Sequence, residues 1–355
     1  MKILHISYFG RFGKVTGIVE AVMNLTQRQI ELGNEVKVLI PFNHPYVDGK
    51  IVFFAYSYGF ARKFIKTLRP DIVVFDGLYD KYQIRLSFYL KINKIPYVLV
   101  FHGGASVDNA KKNWLKKKIA NHLLFNRFVR WAKKVIYLSE NEKGKSIFKQ
   151  QNSCDAIIPN GVSLPENLTP KTKKNKIRIT FLSRLDWYGK GLDVLYEAIR
   201  KFSVLGYENK LEFYFYGPKE SEDCEKLFEF GTMSVYGGYV TGIEKERAFR
   251  EADIFILPSR SEGMPVAVLE ALSFGVPCIV TLETNMAELV KKNQCGWIVN
   301  LTVDNICKSI ENIISEFQEQ RTQLFYNCIT AAKPFDWNEI AKQSQIIYDE
   351  VVHKK

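Results

Sequence analysis

Residues Asp253 to Thr281 read DIFILPSRSEGMPVAVLEALSFGVPCIVT. Asp253 to Leu257 ends in a short apolar run, the pattern of a buried parallel strand. A polar loop follows from Pro258 to Met264, with Gly263 in it. Pro265 suits the first helical position, where its missing N–H costs nothing. Val266 to Phe274 reads as a helix, Gly275 as its stop, and Pro277 to Thr281 as the next strand. Strand, loop, helix, strand is the unit of an open α/β sheet, in which ligands bind beyond the carboxyl ends of the strands.

Two carboxylates stand out in this stretch. Glu262 sits in the loop, and Glu270 is the only charge of an otherwise apolar helix. A helix apolar all round is buried, and a buried charge is costly without a partner. Glu270 is therefore expected to face a polar cleft and accept hydrogen bonds there. The loop between the glutamates also leads to a helix N-terminus, whose free N–H groups suit an anion. Spacing alone leaves a second reading open, with Glu262 a solvated loop acid and Glu270 a structural partner.

The residues add a resemblance. E-G-M-P-V-A-V-L-E carries the E-x7-E spacing, inside S-x-x-E-G-M-P and before E-A-L-x-x-G-x-P. This resembles the retaining GT-B glycosyltransferases of the glycogen-synthase-like group, family 4. The resemblance implies an α/β GT-B fold, with two Rossmann-like domains facing across an interdomain cleft.

Bulk properties agree with a two-domain chain. The 355 residues suit two domains of ordinary size, and 46% hydrophobic content supports real cores. No apolar run approaches the ~20 residues of a membrane span, and MKILHISYFG reads as a first strand rather than a signal peptide. Cys154, Cys224, Cys278, Cys295, Cys307 and Cys328 are scattered and form no C-x-x-C, which suggests a reducing cytoplasm. Charge is uneven: residues 1–160 hold 26 Lys+Arg against 11 Asp+Glu, a net +15, while the whole chain carries +12. The first half is thus expected to meet something anionic.

The first half reads as strands alternating with helices. Lys2–Ser7 is strand one, followed by a loop holding Gly10, Gly13 and Gly17 and a helix from Ile18 to Leu32. Further strands fall at Glu35–Ile40, Ile51–Tyr56, Asp71–Phe75, Tyr97–Phe101, Val135–Leu138 and Ala156–Ile158, an alternation that predicts a parallel sheet. His102 follows a strand and precedes Gly103 and Gly104, a placement that points into a ligand site. Asn109 to Lys134 reads as a long basic helix, with Lys111, Lys112, Lys116, Lys117 and Lys118 beside Trp114. Such charges are most often a solvated face. The domain ends near Val162, and 163–176, rich in Pro, Thr and Lys, reads as a linker.

The second domain is expected over 177–334, opening on strand Ile177–Ser183. Arg184 and Lys190 flank its strand-to-helix loop, where two cations suit a phosphate. Leu211–Gly217 reads as another strand, and residues 335–355 as a closing helix that packs back on the first domain.

The resemblance implies roles for these positions. Arg184 and Lys190 would hold the donor pyrophosphate, Glu262 the donor sugar hydroxyls, and Glu270 the ribose. His102 would sit by the anomeric centre as a catalytic group, together with Glu262, Arg184 and Lys190. The backbone of Gly17, Gly263, Met264 and Pro265 would approach phosphate or sugar, and Tyr239 lies in the segment near the nucleotide base. Thr16 and Asn34 depart from the family's usual Gly and His.

The expected activity is a retaining transfer of sugar from a UDP- or GDP-sugar to a glycan or polyprenyl-linked acceptor, in bacterial surface polysaccharide assembly. No D-x-D occurs, so no metal and no cofactor are expected, and cations replace the metal. The basic half suggests docking on the inner face of a cytoplasmic membrane, and no nucleic-acid partner is expected, since no RNA-binding signature occurs. Two alternatives stand beside this: a nucleotide-sugar epimerase or other GT-B enzyme, and a non-enzymatic anion-binding protein.

Overall fold

The computed structural model describes residues 1–7, 17–40, 53–55, 57–78, 80–102, 125–148, 155–172 and 174–353. The predicted loop over 8–16, the glycines at 103 and 104, and most of the predicted basic helix, including Lys111 to Lys118, lie outside the described residues. The chain forms two compact units, Met1–Gly161 with Trp337–Lys355, and Val162–Asp336.

The first unit is built on β1 (Lys2–Ser7), β2 (Glu35–Ile40), β3 (Phe53–Ala55), β4 (Ile72–Asp76), β5 (Tyr97–Val100), β6 (Lys134–Tyr137) and β7 (Ala156–Ile157). They pair in the order β3-β2-β1-β4-β5-β6-β7, all parallel. The helices are α1 (Gly17–Glu31), α2 (Tyr58–Leu68), α3 (Lys81–Ile92), α4 (Asn126–Trp131) and α5 (Glu140–Lys145). Strands β4 and β5 are buried along their whole length, as central strands covered on both faces must be. The predicted helix to Lys134 stops at Trp131, because Lys134 already pairs with Val98 as the first residue of β6.

The second unit carries β8 (Ile177–Leu182), β9 (Leu211–Tyr216), β10 (Ser234–Gly238), β11 (Ile254–Leu257), β12 (Cys278–Val280) and β13 (Gly296–Ile298). Their order is β10-β9-β8-β11-β12-β13, again all parallel. Its helices are α6 (Leu192–Val204), α7 (Gly242–Glu251), α8 (Val266–Ser273), α9 (Ala287–Asn293) and α10 (Val303–Ala332). Along α10, Ile306, Ile310, Ile313 and Phe317 recur at three- and four-residue steps and are buried in the second core. A final helix, α11 (Trp337–His353), belongs to the first unit and packs on α1.

In each sheet the strand order reverses at one place, between β1 and β4 and between β8 and β11. The crevice beyond the strand ends at such a reversal is where open α/β sheets bind ligands.

The segment 163–176 is not a free linker. Leu164 and Leu168 pack on the second core, and the Lys171 ammonium donates to the Phe249 carbonyl at 3.3 Å and to that of Ala252, ending α7. Burial pulls the Lys171 ammonium down to about 8. Among the described residues, no helix is long and apolar enough to cross a membrane.

Candidate active site

The β8–α6 loop runs from Ser183 to Gly191. Asp186 shapes it: its Oδ1 accepts from the Gly189 N–H at 2.9 Å and its carbonyl from the Lys190 N–H at 3.1 Å. Gly191 ends the loop with φ +67°, and a Cβ there would lie 2.1 Å from the Pro258 carbonyl oxygen. Only glycine accepts both the left-handed backbone and that approach. The backbones of the β8–α6 and β11–α8 loops therefore touch at this point.

The β11–α8 loop, Pro258 to Met264, is held from the other side. Thr281 Oγ1 donates to the Ser259 carbonyl at 2.6 Å, and the Glu262 N–H to the Glu283 carbonyl at 3.0 Å. Asn285 Nδ2 donates to the carbonyls of Glu262 (2.6 Å) and Gly263 (2.8 Å). Ser259 Oγ donates to Glu262 Oε1 at 2.7 Å, and Lys190 Nζ donates to that same oxygen. The Lys190 and Glu262 side chains are only 12% and 14% exposed, so this ion pair is shielded from bulk water.

Lys190 and Glu262, predicted from separate motifs, are thus brought together at the strand reversal of the second sheet. Arg184 is not brought to them. It pairs with Glu220, and both side chains are exposed. Glu270 meets Lys245 of α7, with Nζ 2.7 Å from Oε1. Glu270, expected to accept hydrogen bonds in a polar cleft, thus has a lysine among its partners. Pro265 is the N-cap of α8 rather than its first helical residue. Its ψ of 113° is extended, and its own side chain makes no capping hydrogen bond. Met264 packs partly on the core, and Tyr239 is exposed just past β10.

The first unit places Gly17 at the first position of α1 and His102 at the carboxyl end of β5. His102 adopts φ +47°, a left-handed backbone that a non-glycine residue keeps only when its surroundings demand it. Its side chain is 7% exposed, and Nε2 stands 3.6 Å from Asp76 Oδ1, an electrostatic approach beyond hydrogen-bond length. Among the described residues the buried Nε2 has no hydrogen-bond partner, and His102 lines a small cavity with Asp76, Asn160, Trp337 and Tyr348.

Asp76 ends β4 and is buried. Its Oδ2 accepts from Ser7 Oγ (2.6 Å) and faces His5 Nδ1 (2.9 Å). His5 Nε2 faces Gln29 Oε1 at 3.0 Å, so both ring nitrogens meet acceptor oxygens. Burial alone pushes the Asp76 carboxyl up, but the charge of His5, the hydrogen bond from His5 and the approach of the His102 ring outweigh it and hold Asp76 well below the ordinary carboxylate range.

Comparison with known proteins accounts for both units. The family model described as Glycosyltransferase Family 4 matches residues 15–165, and that described as Glycosyl transferases group 1 matches residues 176–316. The chain belongs to the family 4 glycosyltransferases.

This glycosyltransferase is 27% identical over 168 residues to a putative colanic acid biosynthesis glycosyltransferase, WcaL, of Salmonella typhimurium, a match covering 44% of this chain and 41% of that relative. It is 25% identical over 350 residues to the N,N'-diacetylbacillosaminyl-diphospho-undecaprenol alpha-1,3-N-acetylgalactosaminyltransferase of Campylobacter jejuni, covering 92% and 89% of the two chains. Among solved structures, Anabaena Alr3699/HepE in complex with UDP superposes with TM-score 0.75 at 17% identity, covering 99% of this chain and all of that one. That likeness establishes the GT-B fold.

Three site residues escaped sequence reasoning. Asp76 stands at a strand's carboxyl end, the same signal that marked His102, but the predicted strand stopped at Phe75. Lys245 lies in the charged run GIEKERAFRE, which shows no apolar stripe strong enough to mark α7. Asn285, at φ +61°, gave no local signal, since its partners are 22 and 23 residues away.

Proposed function

We propose that this glycosyltransferase moves a sugar from a UDP- or GDP-sugar to a glycan or polyprenyl-linked acceptor, with retention of configuration and without a metal. One observation carries the reading: the shielded Lys190–Glu262 pair at the strand reversal of the second sheet. A cation and a carboxylate held there suit the two halves of a nucleotide sugar, pyrophosphate and sugar hydroxyls.

The partner exchange is simple. The donor pyrophosphate takes Lys190, and Glu262, released, accepts hydrogen bonds from the sugar. As the glycosidic bond breaks, negative charge grows on the leaving diphosphate. Lys190 and the N-terminus of α8, at Pro265, stabilise it, and Arg184 adds a solvated contribution. The Gly263 and Met264 backbone lines this place. Glu270, set by Lys245, holds the ribose, and Tyr239 stands near the base. His102 and Gly17 are assigned to the donor on resemblance alone. Two relatives point to the acceptor. One is named for colanic acid biosynthesis, and the other for transfer to a diphospho-undecaprenol saccharide. These names support an acceptor in polysaccharide or lipid-linked saccharide assembly. The net +15 on residues 1–160, not the names, supports docking on anionic lipids at the cytoplasmic side of a membrane. Nothing in the family match favours an epimerase or an anion-binding protein.

A panel of nucleotide sugars, scored by which nucleoside diphosphate is released, tests the reading. Release of UDP or GDP from one donor, lowered ~10²–10³-fold in Lys190→Ala, is the expected result. Release from none, together with no binding of either diphosphate, overturns it.

A further inference from the structure

We infer that Arg260 is a positioning residue, which clasps the β8–α6 loop to the β11–α8 loop and so sets the spacing at which Lys190 meets Glu262. The catalytic consequence rests on the proposed function; the geometry does not.

Arg260 lies two residues before Glu262 and is tied to the opposite loop and the first turn of α6 at four places. Its backbone N–H donates to the Gly189 carbonyl at 3.0 Å. Its guanidinium forks onto Asp193, with Nη1 2.7 Å from Oδ1 and Nη2 2.8 Å from Oδ2. Nη1 also donates to the Tyr188 carbonyl, and the guanidinium carbon lies 3.9 Å from the centre of the Tyr188 ring. Tyr188 and Gly189 precede Lys190, and Asp193 follows it, in the first turn of α6. Arg260 therefore grips the chain on both sides of Lys190.

The side chain is suited to this and to little else. A planar fork meets a carboxylate through two parallel bonds and stacks on an aromatic ring, which a lysine ammonium cannot do together. An ordinary surface ion pair adds little to stability, and Arg260 and Asp193 are each about a quarter exposed (25% and 29%). What the fork adds is definition of position. The interactions that let the loops fold together, the Gly191 approach to Pro258 and the backbone bond to Gly189, do not need the side chain. Removing the fork leaves the unit folded and the two loops freer to part. Reacting groups misplaced by about 1 Å lose up to ~10²-fold in rate.

The test uses Arg260→Ala and Arg260→Lys in the full chain. Both are expected to melt within a few degrees of wild type. Turnover is expected to fall ~10–100-fold in Arg260→Ala, with the donor KM changed less than about threefold, and Arg260→Lys is expected to fall between. In a Lys190→Ala background, adding Arg260→Ala should lower turnover no further, because the effect passes through Lys190. Crystal structures of wild type and Arg260→Ala should show the distance between Lys190 Nζ and Glu262 Oε1 increased in the variant. Turnover within twofold of wild type, or the same loss with and without Lys190, overturns the inference. Should the wild type release no diphosphate from any donor, the proposed function falls, and the crystal structures alone decide: an unmoved Lys190–Glu262 pair in Arg260→Ala overturns the clasp.

Discussion

Lys245 Nζ lies 2.7 Å from Glu270 Oε1, joining α7 to the only charge of α8. Neither side chain is more than 20% exposed, so each is partly desolvated and depends on the other. If Glu270 holds the ribose, Glu270→Gln raises the donor KM about tenfold, the value of one hydrogen bond to a charged group, and leaves kcat within a few fold. Lys245→Ala shifts KM the same way, because the carboxylate loses the cation that sets its position. Initial rates across donor concentration decide it; a collapsed kcat at unchanged KM contradicts the ribose assignment.

Lys190 and Arg184 are predicted to differ, because one is shielded and the other solvated. Lys190→Ala should lower kcat ~10²–10³-fold, the usual loss of one stabiliser of a developing anion. Arg184→Ala should cost about tenfold, since its charge is screened at 55% exposure. Glu262→Gln should lower kcat as well, being the partner of the reacting sugar. Equal losses at Arg184 and Lys190 would remove the argument from exposure.

Asp76 supplies a pH prediction. Its folded carboxyl titrates below the ordinary range, so near pH 4 the unfolded chain binds more protons than the folded one. Its stabilising contribution is then complete above the ordinary carboxylate pKa and fades as pH falls through the folded value. Asp76→Asn leaves His5 facing a neutral amide and should cost about 3–5 kcal/mol at pH 7. The lead of wild type over this variant should shrink at pH 3, measured by urea unfolding. A lead that stays constant from pH 7 to pH 3 argues against an ionised Asp76.

Chelation is expected to leave turnover unchanged. Rates with and without EDTA check this, and a loss restored by Mg²⁺ or Mn²⁺ would mean that Lys190 and Arg184 do not suffice for the diphosphate.

The net +15 on residues 1–160 predicts binding to anionic vesicles at low salt and release at high salt, with about 1 kcal/mol from each Lys near the surface. Co-sedimentation with neutral and anionic liposomes separates this from a solvated basic face. Lys116, Lys117 and Lys118 changed together to Glu should weaken it. Equal binding to both kinds of vesicle overturns it.

Local chemistry made much of this molecule legible in its sequence. Apolar runs such as IVVFD and IFIL are strands because only a sheet covered on both faces buries every side chain. Their alternation with helical stretches dictated parallel sheets, and the residues just past their carboxyl ends, His102, Arg184, Lys190 and Glu262, marked the candidate site. Pairing was decided elsewhere. Lys190 with Glu262, Glu270 with Lys245, Arg260 with Asp193, and Asp76 with His5 are 72, 25, 67 and 71 positions apart. No local pattern encodes such partners, because a charge selects whichever opposite group the fold brings within about 3 Å after both have left water. Arg184 shows the converse: its motif matches as well as that of Lys190, yet its place in the fold leaves it solvated beside Glu220. Sequence determined which residues stand at the strand ends, and tertiary packing decided which of them meet, since desolvation and pairing depend on neighbours that only the folded sheet supplies.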